Sequence, residues 1–583
     1  MANFAQLNVL NHALASGSTL SEGNLRIQSE STSDVGSLAY STLEMASGKF
    51  YMEVLVVRQD ADRGQIGIVN TLVEQNQAPN NTNITDGNNE WGFLTQSNVS
   101  NGSIHHGGSN IGNGAMGSFQ PGDIAQVAID ASAGKVWFGR NNTWFANDGG
   151  SDGDPSTDAN PTYTNLANGP YRFAVGCTNA ASGLFVMKAN FGEQGFKYTP
   201  PTGFKALSQD NLPTPTNFDA LSGETPADYF KAVEYTGTGN STAVTGLNFR
   251  PDFVWIKNHT TAGWSNLIND SIRGPNNLIF SDATNANTQN NGGGYLTSFD
   301  ANGFTVSGGG ASSRSGSSHI AWCFKAGGAP TATNSAGAGA VPTANSVKID
   351  GANKSDALAG TIPATELTAS TKSGFSIVRY TGTGSNGTVA HGLTAAPKWM
   401  WIKNLSGTND HIIYHDNLVN NTYYIALNQT AAQAQAANVF NSTDPTSTVF
   451  SVGTSTATNG NGSDYIAYCW HDVEGFSRFG QFRGNAANNG PYVECGFKPA
   501  FVITRNINIT TQWYSHDNVL GNKLGNDSPG LHLKPNSANA TDSPVACDFF
   551  ASGFKIRTTG SGQNGNGNTM LFMAFAEMPA KFV

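Results

Sequence analysis

Pro251-Asp252-Phe253-Val254-Trp255-Ile256-Lys257-Asn258 is the stretch on which the reading of the fold turns. Aromatic and β-branched side chains fill it, a proline opens it and an asparagine closes it, the pattern of a short buried strand. It returns as Pro397-Lys398-Trp399-Met400-Trp401-Ile402-Lys403-Asn404 and, more loosely, as Pro499-Ala500-Phe501-Val502-Ile503-Thr504-Arg505-Asn506.

Other motifs recur around each copy. Tyr235-Thr236-Gly237-Thr238-Gly239 precedes the first and Tyr380-Thr381-Gly382-Thr383-Gly384 the second, while the third lacks this opening. Asn269-Asp270-Ser271, His415-Asp416-Asn417 and His516-Asp517-Asn518 follow the three copies, where a capping or turn role suits Asp270, Asp416 and Asp517. Ala301-Asn302-Gly303-Phe304-Thr305-Val306 answers to Ala551-Ser552-Gly553-Phe554-Lys555-Ile556, with Ser447-Thr448-Val449-Phe450-Ser451-Val452 between them. Each unit closes on an apolar strand, Ile320-Ala321-Trp322-Cys323-Phe324, Ile466-Ala467-Tyr468-Cys469-Trp470 or Met573-Ala574-Phe575-Ala576. Matched motifs lie about 145 residues apart in the first pair and about 102 in the second. The excess falls in an Ala/Gly/Thr-rich stretch. Units of about 100 residues exceed the 20–50 residues of solenoid repeats, so each is expected to be a small β-sandwich, arranged as beads.

The expected fold class is therefore all-β, a multi-domain array of sandwich modules. An N-terminal domain spans 1–205 and a polar, proline-bearing linker 206–228; the repeats occupy 229–328, 373–478 and 479–583, with an insert or linker at 329–372. In the N-terminal domain, Phe50–Val57 reads as a strand, and Gly122–Asp130 with Val136–Gly139 reads as a hairpin across a Gly-bearing turn. Tyr171–Cys177 and Gly183–Phe191 read as a further pair.

Composition narrows the function. Charged residues are 12% of the chain, about half the globular norm of roughly 25%, and Gly, Asn, Ser and Thr supply the polarity. The net charge is −10 and no run of five basic residues occurs, which disfavours nucleic acid as a partner. No stretch approaches the roughly 18 apolar residues of a membrane span. The five cysteines, Cys177, Cys323, Cys469, Cys495 and Cys547, lie at least 26 positions apart in apolar runs, so they read as reduced core residues. The N-terminal stretch lacks a basic start and an apolar core, so a signal peptide is not expected, and synthesis in a reducing cytoplasm is.

The sequence carries no motif for catalysis, and no enzyme activity, cofactor or metal is expected. His105-His106 reads as a solvated loop, without an acidic neighbour to orient a ligand. Asp148-Gly149-Gly150-Ser151-Asp152-Gly153-Asp154 hints at calcium but departs from the EF-hand pattern. His415 and His516 precede an aspartate, yet the first unit has Asn269 at that place. Trp144, Trp264 and Trp513 sit beside polar loops, where an exposed ring could stack on a sugar or cap its own core.

Two resemblances extend this reading. The order of Gly122-Asp123-Ile124 through Asp130, Gly134-Lys135-Val136-Trp137-Phe138-Gly139-Arg140-Asn141-Asn142-Thr143-Trp144, Pro170–Gly176 and Ala189-Asn190-Phe191-Gly192 resembles the core of a B30.2/SPRY β-sandwich. Its ending, Tyr198-Thr199-Pro200-Pro201-Thr202-Gly203-Phe204, is similar to those of tailed-bacteriophage virion proteins. The triple units resemble an uncharacterised repeat domain of phage structural proteins. The resemblance implies a virion protein made in the host cytoplasm, most readily a tail fibre or tail appendage that binds a host-surface glycan or receptor. It further implies contacts with other virion proteins and a homotrimer. A capsid-surface fibre or connector is the alternative, and a polysaccharide depolymerase a more distant one.

Overall fold

The computed structural model describes residues 4–13, 18–29, 37–59, 63–70, 90–94, 103–106, 109–113, 117, 119–148, 150–166, 169–178, 184–218, 223–289, 295–308, 310–520, 532–541 and 547–579. They form two compact units, divided after Thr214, and nearly all regular structure is antiparallel strand. The all-β expectation holds.

The first unit is a sandwich of two sheets. One contains, in order, Leu7–Ala13, Ser37–Ser41, Tyr171–Thr178, Arg63–Asn70, Glu90–Leu94, Ser103–His106 and Ser109–Asn113. The other runs Thr143–Phe145, Lys135–Arg140, Ile124–Asp130, Lys49–Gln59, Phe185–Asn190, Arg26–Ser29, Thr19–Ser21, with Lys205–Ala206 beside Lys49–Gln59. Alternate residues of Lys49–Gln59 and Ile124–Asp130 (Met52, Val54, Val127, Ile129) meet Ile66, Ile68, Phe173 and Val175 of the facing sheet. Ile124–Asp130 and Lys135–Arg140 form the expected hairpin. Tyr171–Thr178 and Phe185–Asn190 do not pair, because they lie in opposite sheets. His105 and His106 belong to a strand and not to a solvated loop; the His106 ring stacks on Trp91 with centroids 5.0 Å apart.

In the second unit, Pro215–Lys581, the quoted strand and the closing strand of each repeat are neighbours. Phe253–Asn258 pairs with Ser318–Phe324, Trp399–Asn404 with Asp464–Trp470, and Phe497–Asn506 with Thr569–Pro579. Each repeat adds a smaller sheet, for example Thr242–Thr245, Gly303–Val306 and Leu296–Asp300 in the first. One face of the central strands packs on that private sheet. The residues are Val254, Ile256, Ala321 and Cys323 in the first repeat, Met400, Ile402, Ala467 and Cys469 in the second, and Val502, Phe572 and Ala574 in the third.

The opposite face is shared. Phe253, Trp255, Trp322 and Phe324 join Trp399, Trp401, Tyr468 and Trp470, together with Phe501, Ile503, Met573 and Phe575, in one cluster. Ring centroids are 4.8 Å apart for Phe253 and Tyr468, 5.2 Å for Trp322 and Phe501, and 5.7 Å for Trp399 and Trp513, so every repeat touches both others. Burying each large ring stabilises by about 1.5–3 kcal/mol, and a lone repeat would expose this whole apolar face. The expectation of beads is corrected: the three repeats fold as one body around a common core.

Two further expectations change. The 329–372 insert is folded, since Ala364–Ser370 pairs with Phe375–Thr381 and Val347–Ile349 pairs with Ala364–Ser370, which widens the sheet of the second repeat. The third repeat replaces the Tyr-Thr-Gly opening with Phe482-Arg483-Gly484. A Cβ added at Gly237, Gly382 or Gly484 would collide with the carbonyl of Arg314, Gly460 or Gly565 respectively, so glycine alone is retained in all three openings. Four cysteines, Cys323, Cys469, Cys495 and Cys547, are buried and not disulfide-bonded; the Cys177 side chain lies outside the described residues.

Candidate functional site

Strand register aligns the repeats residue by residue. Phe253 faces Asp270, Trp399 faces His415 and Phe501 faces Asp517 across the next strand. The sequence had matched Asp416 to Asp270 and Asp517, but the structural equivalent is His415. Asp416 is exposed and pairs with Lys398. Neighbouring residues on a strand point to opposite faces, so a one-residue slip exchanges core for solvent.

With the register corrected, three sets of polar side chains close the repeats into a cycle. In the first set, Asp270 accepts a hydrogen bond from the Tyr468 hydroxyl at 2.7 Å. Asp517 accepts one from the Trp322 indole at 3.3 Å, and His415 Nε2 lies 3.3 Å from the Phe572 carbonyl. First meets second, second meets third, and third meets first. Each of the three also holds its own turn, since Asp270 accepts the Ile272 N–H, Asp517 the Val519 N–H and His415 Nδ1 the Asn417 N–H. The capping role expected of Asp270 and Asp517 is present, and in the second repeat the histidine performs it.

The second set sits at the start of the same strands. Asn266 donates to the Pro535 carbonyl at 2.8 Å, His411 Nε2 lies 3.1 Å from the Ala283 carbonyl, and the Trp513 indole donates to the Ala426 carbonyl at 3.1 Å. The third set consists of buried cations at the ends of the quoted strands. Lys257 donates to the Ser537 carbonyl at 2.8 Å and Lys403 to the Thr284 carbonyl at 3.2 Å. Arg505 donates to the carbonyls of Thr430, at 2.7 Å, and Ala431. These pins reach from first to third, second to first and third to second.

Burial shapes the chemistry of the joints. It holds Lys403 down at about 8 and Arg505 at about 10, pushes the Asp517 carboxyl up to about 6 and lowers His415 to about 4. Asp270 is paired with the buried Arg273 guanidinium at 2.6 Å, and Tyr468 completes that cluster. An apolar cavity at the centre is lined by Trp255, Trp401, Ile503, Phe324, Trp470 and Met573, all on the shared face, so it is a gap in ring packing.

Of the three tryptophans singled out from sequence, Trp513 is corrected. It is fully buried, its indole is bound to Ala426 and its ring lies under the Arg505 guanidinium at 5.5 Å, so no sugar can stack on it. Trp144 is half-buried over a second small core with Tyr51 and Phe196. Trp264 is half-buried, and the exposed Arg314 lies 5.6 Å from its ring centroid. The three are not brought together. In the loop around Asp148, the carboxylates take local bonds: Asp148 from Gly150 N–H, Asp152 from the Asn160 amide, Asp154 from Ser156 N–H and the Thr157 hydroxyl. Among the described residues no group of three or more His, Cys, Asp or Glu is placed to hold a metal ion, and no helix is long and apolar enough to cross a membrane.

The pin residues were missed in the sequence. The signal was present: a lysine or arginine stands just before the closing asparagine of each copy, at the end of a largely apolar run, and a cation retained there three times implies a buried acceptor.

Fold and joints together define a class: an all-β protein whose repeat unit is a closed cycle of three sandwich modules. The domain of unknown function DUF7483 matches residues 225–351 and 346–579, more than half of the chain, and the protein belongs to that family. No curated protein matches. The SPRY domain of human HERC1 is similar at 13% identity and a TM-score of 0.23, covering 31% of this chain and 96% of that one. The TRIM65 PSpry domain is similar at 13% identity and a TM-score of 0.23, covering 32% and 90%. Likeness at this level says nothing about activity.

Proposed function

We propose that the protein is a structural component of a bacteriophage virion, a tail fibre or similar tail appendage that contacts a glycan or receptor on the host surface. One observation supports a scaffold with binding loops: the matched motif residues of the repeats are used in joints and in the shared core, and the loops they grip are held by backbone carbonyls such as those of Ala283, Thr430 and Pro535, which leaves loop side chains to vary and to bind. The low charge and abundant Asn, Ser and Thr suit a neutral glycan. Trp264, beside Arg314, and Trp144 are the rings offered for stacking. Because the repeats close a cycle of three within one chain, each chain is its own trimer equivalent, and a homotrimer would be built through other surfaces.

Antibody labelling of intact particles in the electron microscope tests the location, and label at the tail is the expected result. Isolated protein should adsorb to host cells and compete with particle attachment, and Trp264→Ala should weaken adsorption while the variant remains folded by calorimetry. Label confined to another structure, or no adsorption by a folded protein, refutes the appendage reading.

A further inference from the structure

We infer that two of the joints of the second repeat, those made by His411 and His415, form an acid-operated latch, in which protonation of these rings loosens this repeat from its neighbours and opens the cycle. All eight histidines beyond residue 215 are buried. These two hold their nearest inter-repeat contacts through the ring. His411 Nδ1 accepts the Trp401 indole N–H at 2.9 Å, which leaves Nε2 to carry the proton toward the Ala283 carbonyl of the first repeat. His415 Nδ1 accepts the Asn417 N–H at 2.9 Å, which likewise leaves Nε2–H to face the Phe572 carbonyl of the third. Each ring is thereby fixed as the neutral Nε2–H tautomer. A second proton has only Nδ1 to occupy, where it would point at the Trp401 or Asn417 N–H of the same repeat, so protonation requires the ring to turn away from that donor, which carries Nε2–H off the neighbour's carbonyl.

The surroundings do not rescue the charged form. Around His411 stand the cations Lys403 and Arg273, which repel it. Asp282, next to Ala283 on the facing loop, accepts the Asn266 N–H, and Asp410 accepts the side-chain amides of Asn428 and Gln429. Around His415 the charged groups are Asp416 and Lys398, and these two are paired with each other. The strand that His415 meets in the third repeat offers Leu571, Phe572 and Met573.

The sign follows from linkage. Burial depresses both histidines, so their contribution to the closed form is present above the ordinary value of 6.5 and is lost as pH falls toward about 4 at His415. The joint between third and first repeats behaves in the opposite way. Burial raises Asp517 to about 6, so that joint gains as pH falls through this value. Opening therefore takes place at the second repeat while the third and first remain joined.

The test uses the full chain. Tryptophan fluorescence is followed from about pH 7 to about pH 3.5 and back, together with long-range ¹H–¹⁵N spectra of histidine-labelled protein. We expect a reversible red shift as the shared core becomes wet, with His411 and His415 remaining Nε2–H tautomers until it occurs. The double variant H411Q/H415Q, which cannot be protonated, should open at a pH lower by about half a unit or more. Fluorescence unchanged to the lowest pH, a red shift unmoved in the folded double variant, or either histidine titrating freely near 6.5 before the shift overturns the latch. If the double variant does not fold, the order of titration and opening in the wild-type spectra decides.

Discussion

The central strands of both units bury both faces, but different material covers the second face. In the 1–214 unit the outer face of the Lys49–Gln59 sheet carries a polar network. The Tyr51 hydroxyl donates to Glu53 at 2.8 Å and accepts from Gln126 at 2.7 Å. Glu53 in turn accepts the N–H groups of Lys197 and Tyr198, so the chain that follows the last long strand is tied down over the sheet. In the 215–581 unit the equivalent face carries rings and is covered by the two sister repeats. A polar second face calls for a local cover that satisfies its hydrogen bonds, whereas an aromatic one can be covered by any complementary apolar surface, however distant in sequence.

The severest way to break this comparison is to remove a cover. A chain ending before Gly475 lacks the third repeat, and its first two repeats should lose cooperative unfolding in calorimetry, because their ring face is open to water. A chain starting at Pro215 should keep one cooperative transition. Independent folding of the truncated pair would restore the picture of beads.

A single ring comes next. Trp401→Ala should cost the repeat unit about 3–5 kcal/mol by chemical denaturation, since it leaves a void among Trp255, Phe253 and Tyr468. The transition of the first unit should not move. Its counterpart there is Tyr51→Phe, which removes a hydroxyl between Gln126 and Glu53 and should cost about 1–3 kcal/mol in that unit alone. If the order of these two effects were reversed, the contrast between ring cover and polar cover would fail.

The smallest effect sharpens the joints. Asp517 in the folded state is raised from 3.8 to about 6, so its contribution is largest below 3.8 and is lost as pH rises through about 6. Asp517→Asn removes this dependence. The stability of wild type relative to the variant should therefore be greater at about pH 4 than at about pH 7, by on the order of 1 kcal/mol. An equal difference at the two values would show that the carboxyl is not buried at a joint.

Much of the fold was legible. The alternation in Ile124–Asp130, the Gly-bearing turn after it and the triple Pro-to-Asn run are local signals, and local signals survive in sequence. What escaped was the meaning of the uninterrupted run in Phe253–Asn258, where all six residues are buried. Such a run states that both faces are covered, but not by what. A further clue was that the large rings of the three copies fall on alternate positions, Phe253 and Trp255, Trp399 and Trp401, Phe501, while smaller side chains fall between. The site was less legible. Trp513 looked like a loop residue because polar neighbours flank it, and its burial depends on Ala426 and Arg505. Asp416 looked like the partner of Asp270 because identity was matched without register, and a strand permits no slip of one residue.

By itself, then, the sequence determined an all-β chain, three copies of one module, a distinct N-terminal sandwich and the buried, reduced cysteines among the described residues, because periodicity and composition are properties of short segments. The tertiary structure alone decided that the copies close on one another, that His415 stands where Asp270 and Asp517 stand, and that Lys257, Lys403 and Arg505 are pins between repeats. Each of these depends on which surface meets which across a hundred residues or more. Hydrophobic burial requires that a partner surface exist, but it is non-directional and does not name the partner.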